Sequence, residues 1–410
     1  MLHTLKIYTV DLEVGMYVSG LDRPWLETPF AMQGFRIESR DQIDRLRQYC
    51  DYVMVDKVKS HQSAQALQRK VRNERRRVPV AGIFKGREIK PYTDAVAWKD
   101  EHPRAKVALN SLVRDIDDIF EHVSDGGKIN VMRLKRSVDP IIDSISRNPD
   151  ACLWVARLKQ HDQYTYQHSL GASIWAVSLG RQLGLPKRDL RSLAVGGLLM
   201  DVGKLRVDPE LLRAERPLDE AEREHVRSHV AYGVEILLDS GVINKDVIDM
   251  VAHHHERFDG SGYPNGLSGE EIPPMARIAA IVDTYDAMTS NRSHAPADAP
   301  SNALRLLYKN RDIHFQAELV EAFIQAVGIY PAGTIVELSS GEVGVVVAEY
   351  RTRRLRPKVL VLLDGAKRRL REPRIVDLMA ESAENASTQL DIARSLEPGA
   401  YDIDLSTVQM

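Results

Sequence analysis

The sequence predicts a mainly α protein: one large helical bundle, preceded by a small α/β domain and followed by a small antiparallel β unit. Three observations carry this. From about Lys106 to Gly328, apolar residues recur at three- and four-residue steps in one stretch after another, the spacing of helices with a buried face. On either side, short β-branched and aromatic runs alternate with Gly, Pro and Asp turn signals. The chain has 410 residues, 43% of them hydrophobic and 28% charged, which suits a globular protein of two to four domains.

Taken in order, the first residues place short strands at Ile7–Val10, Met16–Val18 and Tyr52–Val55, and a helix at Arg40–Tyr49, where Ile43 and Leu46 are the apolar positions. A basic stretch follows, with Arg69, Lys70, Arg72, Arg75, Arg76 and Arg77 close together. In a chain whose formal net charge is −2, it reads as a solvated linker rather than a nucleic-acid contact. Helices are then expected at Val107–Val123, Val131–Ser146, Ala151–Gln160, Tyr166–Leu183, Asp189–Met200, Asp219–Leu238, Lys245–His255, Pro274–Ser290, Asn302–Tyr308 and Gln316–Val327. After Tyr330-Pro331 come β-type runs at Thr334–Leu338, Val343–Glu349, Lys358–Leu363 and Arg374–Val376. The basic residues among them (Arg351, Arg353, Arg354, Arg356, Lys367, Arg368, Arg369) read as exposed hairpin charges. The expected division is 1–105 for the α/β domain and linker, 106–330 for the bundle, 331–380 for the β unit and 381–410 for a loosely ordered tail.

Composition sets outer limits. The two cysteines, Cys50 and Cys152, match no metal or redox spacing and suit a reducing compartment. The N-terminus lacks the pattern of a signal peptide, and no apolar run would span a bilayer. A cytoplasmic protein without membrane or nucleic-acid partners is expected.

The chemistry gathers at His253–Pro264, where three imidazoles, two carboxylates and a guanidinium precede a glycine-rich turn. Imidazole with nearby carboxylate is the ligand mix of divalent transition metals. Elsewhere, polar residues stand where the helical pattern calls for apolar ones. His168 precedes Leu170, Ile174 and Val177; Asp201 follows Leu198-Leu199-Met200; His229 lies between Val226 and Val230; Asp283 is set into Ile278–Val282. Burying such groups is costly unless they are paired or bound to metal. Singly, each reads as a satisfied core group or a cap. Two carboxylates and several histidines converging on one bundle favour a metal site, since bundles build such sites between facing helices.

Asp201-Val202-Gly203-Lys204, His254-His255-Glu256-Arg257, Asp259-Gly260-Ser261-Gly262-Tyr263-Pro264 and Asp283-Thr284-Tyr285-Asp286-Ala287-Met288-Thr289-Ser290 resemble the HD-GYP family of cyclic dinucleotide phosphodiesterases over roughly residues 150–330. The flanking regions resemble one bacterial subgroup of that family, with an N-terminal domain expected to be regulatory. The resemblance implies an HD-type bundle holding two divalent ions, iron or manganese. One would be held by Asp201, His229, His254 and His255, the other by His168, Asp201 and Asp283, with Asp201 bridging. It also implies that Lys204 and Arg292 contact the substrate phosphate, and that the Gly-Tyr-Pro loop can meet diguanylate cyclases. The expected reaction is hydrolysis of cyclic di-GMP to pGpG, with onward cleavage to GMP left open. Asp201 and Lys204 are the expected catalytic residues.

Two departures qualify the resemblance. The histidine of the family's His-Asp pair is Met200 here, and a thioether is a poor replacement for imidazole on iron or manganese. Tyr164 stands where some members carry a glutamate for a third metal, so no more than two ions are expected. His225 reads as a solvated or supporting histidine, and His253 has no family counterpart. The alternative that Met200 raises is a degenerate member, a cyclic dinucleotide sensor or protein-binding module without turnover.

Overall fold

The structure, a computed structural model, describes residues 4–9, 12–23, 28–30, 34–50, 52–56, 59–60, 78–158, 164–290, 297–348, 355–380 and 390–403. The basic stretch Arg69–Arg77, Arg292, and Arg351, Arg353 and Arg354 fall outside these residues. The chain forms two compact units, Met1–Val78 and Pro79–Met410.

In the first unit, strands β1 (Thr4–Tyr8), β2 (Tyr17–Leu21), β3 (Phe35–Arg36) and β4 (Tyr52–Asp56) form an antiparallel sheet of order β1-β4-β2-β3. Helix α1 (Arg40–Tyr49) lies where the periodicity puts it. Its Ile43 and Leu46 join Ile7, Met16, Val18, Val53 and Val55 in one core.

The second unit begins at Pro79, ahead of the boundary near residue 105 suggested by composition. The reason is local: residues 79–97 hydrogen-bond along the bundle. The Arg87 guanidinium donates to Asp189 (2.6 Å) and Asp246 (2.8 and 2.9 Å), Lys90 N–H to the Gly184 carbonyl (2.9 Å) and Tyr92 Oη to the Leu185 carbonyl (2.9 Å). After the short α2 (Val80–Ile83), helix α3 runs from Trp98 to Ser124, starting nine residues before the predicted Val107 and passing through Pro103. Its polar first turns are fastened by Glu101, whose fully buried carboxylate accepts two N–H groups of Arg147 at 2.7 and 2.8 Å.

Then follow α4 (Val131–Arg147), α5 (Pro149–Leu158), α6 (Tyr164–Gln182), α7 (Lys187–Leu199), α8 (Pro209–Leu212), α9 (Glu220–Arg227), α10 (His229–Asp239), α11 (Lys245–His253), α12 (Pro274–Thr289), α13 (Pro300–Lys309) and α14 (Ala317–Val327). The single helix expected over Asp219–Leu238 is two, meeting at Ser228. Helices α6, α7 and α12 form the centre. Residues 172–180, 192–200 and 275–283 are buried on every face, and edge-on contacts link Trp175 to Tyr285 and Tyr285 to Phe323. No helix among the described residues is long and apolar enough to cross a membrane.

The chain ends in a second antiparallel sheet of order β8-β7-β6-β5-β9, built from β5 (Ile335–Leu338), β6 (Val343–Ala348), β7 (Lys358–Leu363), β8 (Arg369–Asp377) and β9 (Ile392–Ser395). The tail, expected to be loosely ordered, instead supplies β9. This strand covers the free edge of β5, with Leu390 and Ile392 packed on Val336, Leu338 and Val346.

Candidate metal centre

Five elements deliver side chains to one point. His168 sits in the second turn of α6, and Asp201 follows the end of α7, at the head of a short 3-10 turn (Val202–Arg206). His229 opens α10, His254 and His255 follow α11, and Asp283 lies mid-way along α12. Asp201 and His229 can meet because Gly203 lets the 3-10 turn lie on α10; a Cβ there would come within 1.9 Å of the His229 carbonyl oxygen.

Ligand-type atoms of Asp201, His229, His254 and His255 lie within 4.8 Å of one another, and so do those of His168, Asp201 and Asp283. Asp201 belongs to both groups, with one oxygen turned to each. Its Oδ1 is 3.4 Å from His229 Nε2 and 3.7 Å from His254 Nε2. Its Oδ2 is 3.5 Å from His168 Nε2 and accepts the Lys204 ammonium at 2.6 Å.

The imidazoles are held by their outer nitrogens. His229 Nδ1 donates to the Val226 carbonyl at 2.7 Å, and His254 Nδ1 to the Val251 carbonyl at 3.0 Å. Each therefore turns an Nε2 lone pair inward, the tautomer control typical of metal-ligating histidines. His168 Nδ1 donates to Asp286 Oδ2 at 2.8 Å, leaving Nε2 at 3.0 Å from Asp283 Oδ1. Asp286 is itself fixed by Trp175 Nε1, which donates to its Oδ1 at 2.8 Å. Gly171, one turn along α6 from His168, makes room for this carboxylate, since a Cβ there would come within 2.0 Å of Asp286 Oδ1.

The charge states match. Burial pushes His229 down to about 4, and burial with the neighbouring His254 holds His255 well below the ordinary imidazole value, so both are neutral donors. Burial alone would raise the Asp201 carboxyl, but Lys204 and the surrounding imidazoles hold it well below the usual carboxylate range. His168 goes the other way: despite burial, its hydrogen bonds to Asp283 and Asp286 raise it to about 10.

These residues fit a divalent cation. Asp201 Oδ1 is buried without a hydrogen-bond partner among the described residues, and the inward lone pairs around it are acceptors facing acceptors. Such an arrangement is costly unless a positive charge lies among them, and the oxygen–imidazole donor set is that of a divalent transition metal.

The His168 proton yields a prediction. A cation taken up by His168, Asp201 and Asp283 must displace that proton, so its affinity should rise by about tenfold per pH unit below pH 10. His229 and His255 carry no proton to lose. Calorimetric manganese titrations at pH 6.5 and 8.5 should show one of two binding events strengthening steeply. Two pH-independent events would contradict this.

Of the predicted site residues, the structure brings together His168, Asp201, Lys204, His229, His254, His255 and Asp283. Arg292 lies outside the described residues. Met200 is fully buried at the end of α7. His225 is exposed, and Tyr164 opens α6. His253 is largely buried, with its Nδ1 3.9 Å from Glu256 Oε1. Sequence reasoning gave no role to Asp286 or Trp175; a second buried carboxylate one turn after Asp283 was the available signal.

Comparison with known proteins follows the same lines. Residues 150–319 match the model of the HD domain, 4–134 a domain of unknown function (DUF3391), and 335–397 a KOW domain associated with HD domain. A cyclic di-GMP phosphodiesterase of Pseudomonas aeruginosa is 33% identical over 91% of this chain and 88% of its own length. A 3'3'-cGAMP-specific phosphodiesterase of Vibrio cholerae is 34% identical over 41% of this chain and 36% of its own. A solved HDG"Y"P protein from Bdellovibrio bacteriovorus aligns over 78% of this chain and 98% of its own, with a TM-score of 0.46 and 16% identity.

Proposed function

The chain belongs to the HD-GYP family of cyclic di-GMP phosphodiesterases, and from that premise we propose that it hydrolyses cyclic di-GMP at the centre built on Asp201. The product is the linear dinucleotide pGpG, formed when water attacks a phosphorus atom and the bond to the 3' oxygen breaks. The observation that carries this reading is the Asp201 carboxylate, with one oxygen facing two inward imidazole lone pairs and the other facing His168 and Lys204.

His229, His254, His255 and Asp201 would hold one divalent ion, and His168, Asp201 and Asp283 a second, with iron or manganese as the metals. Ions held there supply polarisation of the phosphoryl oxygens and acidification of water. The chain's own groups do the rest. Lys204, about a quarter exposed, is the ammonium that can turn from Asp201 to a phosphate oxygen. Arg292 is assigned to the same phosphate by family resemblance. Asp286 accepts the Nδ1 proton of His168, keeping its Nε2 directed inward. The exposed turn at Asp259–Pro264 is the surface offered to diguanylate cyclases. The relatives' names include both cyclic di-GMP and 3'3'-cGAMP enzymes, so the mixed ring is the natural competitor substrate.

The test is product chromatography of purified, metal-supplemented protein with each ring. Formation of pGpG supports the enzyme, whereas tight binding without turnover would mark a sensor.

Met200 bears on the second ion. An imidazole there would add a ligand beside Asp201, and changes around a metal site commonly shift affinity about 10–100-fold. Met200→His is therefore expected to tighten the weaker manganese site by that order and to raise turnover at limiting metal. Bound metal should be counted on both proteins, with circular dichroism checking the fold. Equal affinities would mean that position 200 does not reach the ion.

A further inference from the structure

The Gly-Tyr-Pro loop builds a feature that hydrolysis alone leaves unused. The Tyr263 ring stacks on the His255 imidazole, with centroids 4.6 Å apart and planes 23° from parallel. The Arg227 guanidinium lies over the same tyrosine, 4.9 Å from its ring centroid. Tyr263 thus links a candidate ligand imidazole to a cation at the surface.

The tyrosine end of this link is tied down by hydrogen bonds. Tyr263 N–H donates to the His255 carbonyl at 3.3 Å. The buried Glu256 carboxylate accepts the N–H groups of Asn265 at 2.8 Å and Leu267 at 3.1 Å, which ties the loop beyond the tyrosine to the chain just after His255. Arg227 ends α9, two residues before His229. Its side chain is 42% exposed, and the Glu224 carboxylate one turn earlier lies 3.5 Å away.

We propose that Arg227, seated on Tyr263, reads a guanine base of the cyclic dinucleotide; this rests on the hydrolytic reading above. The scissile phosphate belongs at Asp201 and Lys204, one imidazole and one phenol ring away from this guanidinium. In a cyclic dinucleotide the base is one ribose away from the phosphate, so a base is the part of the substrate that falls beside Arg227. A guanidinium held over an aromatic face keeps its N–H edge for a partner. Two parallel N–H donors match O6 and N7 of guanine, whereas adenine offers an amino donor at the first of these positions.

The experiment compares the full-length wild type with Arg227→Ala and Arg227→Lys on cyclic di-GMP, 3'3'-cGAMP and cyclic di-AMP, with bound metal measured on the same samples. Arg227→Ala should raise KM for cyclic di-GMP by about tenfold, leave KM for cyclic di-AMP nearly unchanged, and retain wild-type metal content. Arg227→Lys, which keeps the charge but lacks the fork, should resemble Arg227→Ala. An equal loss on all three rings would make Arg227 a phosphate contact and overturn the proposal, as would an unchanged KM. If the wild type neither binds nor hydrolyses any of the rings, the hydrolytic reading falls and takes this inference with it. Wild-type turnover with an indifferent Arg227 removes the inference alone.

Discussion

Asp201→Ala is expected to abolish turnover and to strip both metal sites at once. Each oxygen of this carboxylate serves a different donor set: Oδ1 faces His229 and His254, and Oδ2 faces His168 and Lys204. Loss of even a supporting partner of a metal ligand commonly costs about 10–100-fold in affinity or activity. Losing a ligand shared by two sets should therefore cost on the order of 10²–10⁴ in activity, since both penalties fall together. His254→Ala and His255→Ala damage one set only, so each should lower activity strongly and leave the other ion in place. Metal analysis and cyclic di-GMP hydrolysis on the same samples test the ordering. A single bound ion in Asp201→Ala, or full activity in any of the three, would show that the bridge is not where the chemistry depends on it.

The second large effect is on stability. Arg147→Ala should destabilise the protein by about 3–5 kcal/mol, because it leaves the Glu101 carboxylate buried without its partner. The Arg147 guanidinium is a third exposed and could find water, whereas the Glu101 side chain is fully enclosed. The pair joins α3 to α4, so its loss also frees the polar first turns of α3. Replacing both residues, as Glu101→Leu with Arg147→Met, removes the charge along with its partner and should be far milder than the single change. Urea unfolding of the two variants checks this. A loss below about 1 kcal/mol for Arg147→Ala would mean that water reaches Glu101 after all.

The bundle and most of its candidate metal-binding residues were legible in the sequence because their signals are local. A histidine or aspartate in an apolar run is costly wherever it lies, so His168, His229 and Asp283 announced themselves by their surroundings. What stayed hidden depends on neighbours distant in the chain. The start of α3 has no apolar periodicity and contains Pro103; it is helical because Arg147, 46 residues away, holds Glu101. The break at Ser228 was invisible because that residue keeps helical dihedral angles although one helix ends and the next begins there. The end of the first unit was misjudged because residues 79–97 look like linker and are held by bonds to Asp189, Gly184 and Asp246. Asp286 went without a role since nothing nearby in the chain says that its oxygens reach α6.

The fit of Gly171 against Asp286 has a consequence for how this sequence can diverge. A side chain at 171 would occupy the space of the Asp286 carboxylate, and that carboxylate holds the His168 proton. Position 171, 115 residues earlier in the chain, is thus free to take a side chain only if position 286 changes as well. Among descendants of this chain, a lineage that acquires alanine at 171 is expected to have surrendered aspartate at 286, and with it the inward lone pair of His168. An occupied position 171 is in effect an inherited mark that the support of His168 has been given up.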